Sequence, residues 1–186
     1  MKNALLSLVV LALVAIVPVR AAEQPGMSQN PMAARTAVHQ EAMKKLEFLA
    51  GTWKGKAWFQ MGPDQKHEVD QTEVVQFRQE GVIVLIEGLG KDAKSGSIVH
   101  DALAVVSYDD SNQKYTFTSW AGAGRSGEFE AKVGPNRLEW FMKNAGGTIR
   151  YTIVLNEKGE WFEIGERSID GVAWTKFFEM TLKKVQ

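Results

Sequence analysis

From Gly51 to the C-terminus the apolar side chains recur at every second position, in short runs broken by turn-forming clusters. In "GTWKGKAWFQ", Trp53, Gly55, Ala57 and Phe59 fall on one face and Lys54, Lys56 and Gln60 on the other, as successive residues of a strand must. The same alternation groups Gly127, Phe129, Ala131 and Val133 in "RSGEFEAKV", Leu138, Trp140 and Met142 in "NRLEWFMK", and Ile149, Tyr151, Ile153 and Leu155 in "TIRYTIVL". Near the end, "VAWTKFFEMTLKK" groups Trp174, Phe178, Met180 and Leu182. The punctuation is regular: Gly62-Pro63-Asp64, Glu80-Gly81, Asp92 to Gly96, Asp109 to Asn112, Gly122 to Gly124, Gly134-Pro135-Asn136, Asn144 to Gly147, Asn156 to Gly159, and Asp170-Gly171. Nine such turns delimit ten strands with no helical segment between them, which predicts antiparallel pairing of neighbours rather than a parallel α/β sheet. Asp170-Gly171 has the composition of a two-residue hairpin turn, whose central residues both take positive φ. A meander with one dry and one wet face buries the first, and loses its exposed edges, by closing on itself. The expected fold is therefore all-β, a ten-stranded antiparallel up-and-down β-barrel.

Ahead of the strands the period changes. Asn30 before Pro31 has the character of a helix N-cap with proline in the first turn, and Val38, Ala42, Leu46 and Leu49 then follow at helical spacing. One short amphipathic helix over residues 31–49, laid against the sheet, is expected. Residues 22–30, "AEQPGMSQN", are polar and aperiodic and read as a flexible tether. Residues 1–21 have the layout of a secretory signal peptide: Lys2, an apolar run from Ala4 to Val17, and a small-residue exit at Ala21. The run is too short to span a bilayer, and Pro18 and Arg20 close it. The expected product is a periplasmic or secreted single domain, residues 31–186, with no stable membrane anchor after cleavage.

Charge and cysteine content narrow the partners. Basic and acidic residues number 22 each, and loss of Lys2 and Arg20 with the leader tips the balance slightly acidic, so nothing favours nucleic acid. There is no cysteine, which removes disulfides, thiolate chemistry and cysteine-held metals, and leaves an exported chain to be stabilised by core packing alone. A monomer is expected.

The helix-to-strand seam "LEFLAGTWKGKAW" carries a Gly-x-Trp, Gly51 to Trp53, at the start of the first strand. Together with "VVQFRQEGVIVLIEGLG", "HDALAVVSYD" and "ERSIDGVAWTKFFEMTLKK" it resembles the calycin superfamily of lipocalins and fatty-acid-binding proteins. Within that superfamily it is most similar to an exported bacterial domain of unknown function related to nitrobindin-type haem-binding barrels. The likeness runs over about residues 40–184 as a pattern of strands. It implies a calycin-like barrel in which Trp53 seals the closed end beneath a basic residue of the last strand, a place that Lys183 or Lys184 would fill.

Candidate chemistry is sparse. "GAGRSG" fits Gly-x-Gly-x-x-Gly, but a strand follows where a dinucleotide site needs a helix, so it reads as a glycine-rich rim hairpin. "DDSNQ" lacks the glycine and closing glutamate of a calcium loop and reads as a turn. Ser107, Ser126 and Ser168 lack a nucleophile elbow, and Glu163, Glu166, Asp170 and Glu179 read as outward or turn carboxylates, so binding is favoured over catalysis. Of the three histidines, His39 reads as solvated, His67 as a rim residue, and His100 as the one able to point inward. No cofactor is expected; were haem bound, His100 would be its ligand. Polar residues on otherwise apolar faces remain: Arg125 with Phe129, Gln71 and Glu73 with Val69, Val75 and Phe77, Lys176 with Trp174 and Phe178, and Arg167 on either face. The expected site is a cavity lined by Phe129, Trp140, Tyr151 and Trp174, with Glu73 inside and Arg125 at its rim, for a small hydrophobic or amphipathic ligand with an anionic head. A haem-binding or small-molecule-transforming barrel, and a barrel packed shut as a structural module, are the alternatives.

Overall fold

The computed structural model describes residues 30–62 and 65–186, so the expected signal peptide and all of the expected tether except Asn30 lie outside the described residues. Helix α1, Pro31–Lys44, starts where the sequence signals it, with the Asn30 side chain accepting from the Met32 amide at 3.0 Å. It stops sooner than expected. Lys45 ends it, and a separate 3-10 turn, Glu47–Leu49, leads into the barrel. The inward stripe also differs from the expected one: Ala42, Met43 and Leu46 are buried and His39 is half-buried beside them, while Val38 is 50% exposed. His39 is thus not solvated as expected; it packs edge-on against Tyr108 and lies 3.6 Å from Asp110.

Ten strands follow: β1 Gly51–Gly62, β2 Gln65–Arg78, β3 Ile83–Asp92, β4 Ile98–Asp109, β5 Lys114–Ala121, β6 Arg125–Gly134, β7 Arg137–Asn144, β8 Gly147–Leu155, β9 Trp161–Ser168 and β10 Thr175–Lys184. Each pairs antiparallel with its neighbours in sequence, and β10 pairs with β1, which closes the barrel. Closure gives every strand two partners and leaves no edge. The inward faces read from the alternation meet across the register: Trp53 opposite Glu73, Ala57 opposite Met180, Ala131 opposite Trp140, and Tyr151 opposite Gly165.

Two expectations near the C-terminus fail, for linked reasons. Asp170-Gly171 does not form a two-residue hairpin, because β9 ends at Ser168 and β10 resumes at Thr175. The Asp170 carboxylate organises the longer loop between them by accepting from the amides of Val172 and Ala173 and from the Ser168 hydroxyl. A bulge between Lys176 and Phe178 then shifts the pairing by one residue and reverses the parity of everything before it. Trp174 and Lys176 consequently face outward, not into the lumen with Phe178. Trp174 lies under the Arg150 guanidinium at 4.1 Å, and Lys176 pairs with Glu179 at 2.6 Å.

One end of the barrel is sealed. Met43, Leu46 and Leu49 from the helical segment meet Trp53, Val84, Val106, Leu138, Trp161 and Leu182, all fully or almost fully buried. The Trp53 indole donates to the Leu49 carbonyl at 2.7 Å and lies edge-on to Trp161, with the rings 5.9 Å apart. Lys184 takes the basic position beside it, its Nζ 5.4 Å from the Trp53 ring, whereas Lys183 points toward Glu160. Gly51, at φ +121°, makes this turn into β1; a Cβ there would strike the Gln186 carbonyl and the Lys184 side chain. Tyr115 ties the lid down by donating its hydroxyl to the Ala42 carbonyl at 3.0 Å.

Candidate functional site

Among the described residues the opposite end carries no such lid. Inward positions there are exposed or half-buried: His67 on β2, His100 on β4, Arg125 on β6 and Arg167 on β9 are exposed, and Phe59, Phe129, Met142 and Phe178 are half-buried. Among the described residues neither Arg125 nor Arg167 has an ion-pair partner, so the mouth carries two free guanidinium groups. His67 stacks on Phe59 with the rings 5.1 Å apart.

Below the mouth one wall is aromatic. Phe117, Trp140 and Tyr151 form a continuous slab, with Phe117 and Trp140 4.5 Å apart at 3° and Trp140 and Tyr151 4.3 Å apart at 8°. Ala131 lies opposite Trp140 on the intervening strand β6, and its small side chain lets the indole reach Phe117. Phe129 leans on the slab from above, tilted against Trp140 at 5.5 Å, over Gly127, where a Cβ would collide with the ring. Phe177 and Phe178, brought together by the bulge, both meet Tyr151 edge-on at 5.8 Å. Gly165 leaves room for them, since a Cβ there would sit 2.9 Å from both Tyr151 and Phe178.

The floor of this space is polar. Gln71, Glu73 and Glu163 are 6, 7 and 8% exposed. Gln71 Nε2 donates to Glu73 Oε1 at 2.7 Å, and Trp161 Nε1 donates to Glu163 Oε2 at 3.1 Å. Burial pushes the Glu73 carboxyl up to about 8, with the Glu163 charge adding to the effect and the Gln71 hydrogen bond opposing it. Burial likewise raises Glu163 to about 7, against the pull of the Trp161 hydrogen bond. Burial and the nearby Glu163 charge push the Tyr151 phenol well above its ordinary range. The backbone of Gly88 supports the pair from behind, for a Cβ on it would lie 2.8 Å from Glu73 Oε1.

The expected site residues are thus partly brought together. Phe129, Trp140, Tyr151 and Glu73 share the lumen, Arg125 stands at its mouth, and Trp174 is outside. Glu163, expected to face outward, faces the lumen opposite Met180 and Ile153. The misreading has a cause: in "WFEIGERS" the outward residues Phe162 and Ile164 are the more apolar set, so alternation alone selects the wrong face. A tie-breaker was present in Trp161 and Gly165, which continue the Glu163 parity and are both buried. Ser168 is buried, yet its hydroxyl is occupied by Asp170 and the Gly171 amide, a loop contact without a base.

His100 faces the lumen at the mouth, exposed at its rim yet with its pKa lowered by partial loss of solvation against the opposing charge of Asp101, and is the residue that would ligate a haem iron. The rest of the lumen does not fit that group: a porphyrin entering from the mouth would press its apolar plane toward two carboxyls and a carboxamide. Among the described residues no three histidine or acidic side chains converge on a metal position. A separate groove of about 640 Å³ runs outside the barrel over β2 to β5, lined by Val74, Leu89, Leu103 and Trp120 and roofed by the loop 122–124. It is open, and the polar groups converge in the lumen instead, so the lumen is the candidate site.

This architecture defines a closed ten-stranded β-barrel sealed at one end by the helical segment. No protein-family model matches the chain, and no curated protein matches it. Among solved structures, it is similar to the crystal structure of Rv2717c from M. tuberculosis, with a TM-score of 0.58 over 78% of this chain and 98% of that one. Identity is 10%, so the likeness is one of fold.

Proposed function

We propose that this protein is an exported, calycin-type barrel that carries or sequesters a small hydrophobic or amphipathic molecule in its lumen, without transforming it. The observation that supports this most is the slab Phe117–Trp140–Tyr151, with Phe117 buried and Trp140 and Tyr151 half-buried, inside a barrel sealed at the far end. Moving apolar surface from water onto such a wall contributes about 25 cal/mol per Å² buried. Planar aromatic faces suit flat or unsaturated ligands, and Arg125 and Arg167 stand where an anionic outer end would emerge. Export follows from the leader-like residues 1–21, and sequencing of the N-terminus after fractionation tests it: a mature chain beginning at Ala22 agrees, and a retained leader refutes export.

Ligand binding is tested by native mass spectrometry of the protein purified without denaturant, alongside titration with an environment-sensitive apolar dye followed by tryptophan quenching. Trp140→Ala removes the centre of the slab and is expected to weaken dye binding about tenfold or more, while a mouth variant far from the slab, Lys94→Ala, leaves it unchanged. Absence of any copurifying molecule together with absence of dye binding would reject the reading.

A further inference from the structure

The large apolar side chains left exposed on this barrel are not spread evenly. Ile169 and Val172, on the loop between β9 and β10, are 91 and 83% exposed, and Ile98 and Val99, where the chain enters β4, are 60 and 47% exposed. Both places lie at the end away from the helical lid. The strand order sets them on opposite sides of that rim, with β10, β1, β2 and β3 between them one way round and β4 to β9 the other. Trp120, the penultimate residue of β5 at the same end, is 45% exposed. Among the described residues it is the one tryptophan with no ring, cation or hydrogen-bond partner. Single exposed apolar residues are ordinary, but a set projecting from the tips of one end marks a contact surface. The loops are built to present them. Asp170 accepts from the Val172 and Ala173 amides and the Ser168 hydroxyl, so the carboxylate folds onto the backbone and the flanking aliphatic groups stay outside. Asp92 does the same in the loop after β3, accepting from the amides of Lys94 and Ser95 and from the Ser95 hydroxyl. The carboxylates of both loops are thus engaged. Lys91, Lys94, Arg125 and Arg167 are exposed and, among the described residues, hold no salt bridge. Glu68 and Asp101 add exposed carboxylates on the adjoining outer wall, fewer than these cations.

We propose that this rim docks on an anionic lipid bilayer, with Ile169, Val172, Ile98 and Val99 entering the boundary between headgroups and acyl chains and Lys91, Lys94, Arg125 and Arg167 lying against lipid phosphates. Binding in that zone grows with the apolar area inserted and with attraction to anionic headgroups, and this end supplies both. Trp120 stands where an indole is favoured, at the level of the interface. No helix of the described residues is long and apolar enough to cross a membrane, and the docking is peripheral, through loop tips. A protein partner fits less well: a stable protein interface is one packed patch of about 800 Å² a side, whereas these tips stand apart around a rim and need a broad, yielding surface. The docking goes beyond the ligand reading and does not depend on it.

The experiment is cosedimentation of the mature protein with large unilamellar vesicles of phosphatidylcholine alone and of phosphatidylcholine with one-third phosphatidylglycerol, at neutral pH and low salt. Binding is expected to be about tenfold or more tighter on the anionic vesicles and to weaken as salt is added. Replacing the two loop tips together, Ile169→Ser with Val172→Ser, should weaken it about tenfold or more, the range that losing one or two inserted aliphatic side chains gives, while leaving binding of the apolar dye unchanged. Arg125→Gln with Arg167→Gln should remove most of the preference for anionic lipid. Met32→Ser, which removes an exposed apolar side chain from α1 on the lidded end, should change nothing. Vesicles of brominated phosphatidylcholine should quench part of the tryptophan fluorescence, and that part should be missing in Trp120→Phe. Should a loop variant fail to fold, this quenching still decides. Failure to bind either vesicle, or binding that the loop pair and Met32→Ser weaken alike, overturns the proposal and leaves the lumen reading standing. A dimer that excludes vesicles and falls apart in the loop pair also overturns it, with a second copy as the occupant of the rim. Failure of the dye to bind bears on the lumen alone.

Discussion

Glu73 and Glu163 place an unusual pH dependence on folding, and replacing one of them measures it. In the unfolded chain each carboxyl ionises near 4.5, whereas in the barrel burial moves Glu73 to about 8 and Glu163 to about 7. Between those limits the native state holds protons that the unfolded chain has lost, so the unfolding free energy falls as pH rises. The stability tied to these protons is complete below about pH 4.5, declines above it, and is gone beyond about pH 8. At 1.36 kcal/mol per pKa unit, the Glu73 shift alone corresponds to about 5 kcal/mol between the two extremes, a large part of a domain's total. The assay is the urea midpoint, with a constant slope, from pH 5 to pH 9 for the native sequence and for Glu73→Gln. The glutamine keeps the shape and cannot ionise. At pH 5 the two proteins should agree within about 1 kcal/mol, and at pH 9 the variant should be the more stable by several kcal/mol. His100 slopes the other way, because partial loss of solvation lowers its pKa and the native state binds fewer protons near neutrality; that contribution cancels in the difference. Parallel curves for the two proteins over the whole range would refute the claim that this carboxyl is held protonated by burial.

Three further outcomes are expected. Trp53→Ala should lower the unfolding free energy by about 3–5 kcal/mol, since it empties the sealed end, and Trp53→Phe by less, chiefly through the lost bond to the Leu49 carbonyl; denaturant titration reads both, and a loss under about 1 kcal/mol for the alanine would contradict the indole plug. Gly88→Ala places a methyl 2.8 Å from Glu73 Oε1 and should cost about 1–3 kcal/mol, a penalty that a double-mutant cycle with Glu73→Ala should largely remove; independent, additive effects would separate the two sites. Asp170→Ala removes the acceptor for two amides and a hydroxyl, and limited proteolysis should then nick the loop between β9 and β10 in the variant before the parent chain; equal cleavage rates would mean the carboxylate does not organise it.

The architecture was legible because barrel strands repeat a two-residue period and turns announce themselves by Gly, Pro, Asn and Asp. Ten strands, their order and most inward faces follow from that alone. What escaped was whatever breaks the period. A single inserted residue near Phe177 moved Trp174 and Lys176 to the outer wall, and no local composition signals a bulge of that kind. Asp170-Gly171 had hairpin composition, but the aspartate spends its side chain on amides further along the loop, an Asx interaction that competes with the tight turn. Glu163 was lost for a different reason: both faces of β9 carry apolar residues, and a carboxylate is placed outward by default. Glu73 was found because Val69, Gln71 and Val75 surround it at clean two-residue steps, which made its inward parity unambiguous. The site's main elements were therefore available in the sequence one at a time, while their convergence depends on closure, which brings β2 and β9 to either side of β1 and β10.

The floor of this barrel carries a stability cost that its walls do not need. Replacing a buried ionisable pair with apolar residues of similar volume commonly leaves a fold as stable or more so, and the surrounding Val69, Val75, Ile153 and Met180 show that apolar residues suit these strands. Among the described residues no lysine or arginine pairs with either acid, and the Glu163 charge makes Glu73 harder still to ionise.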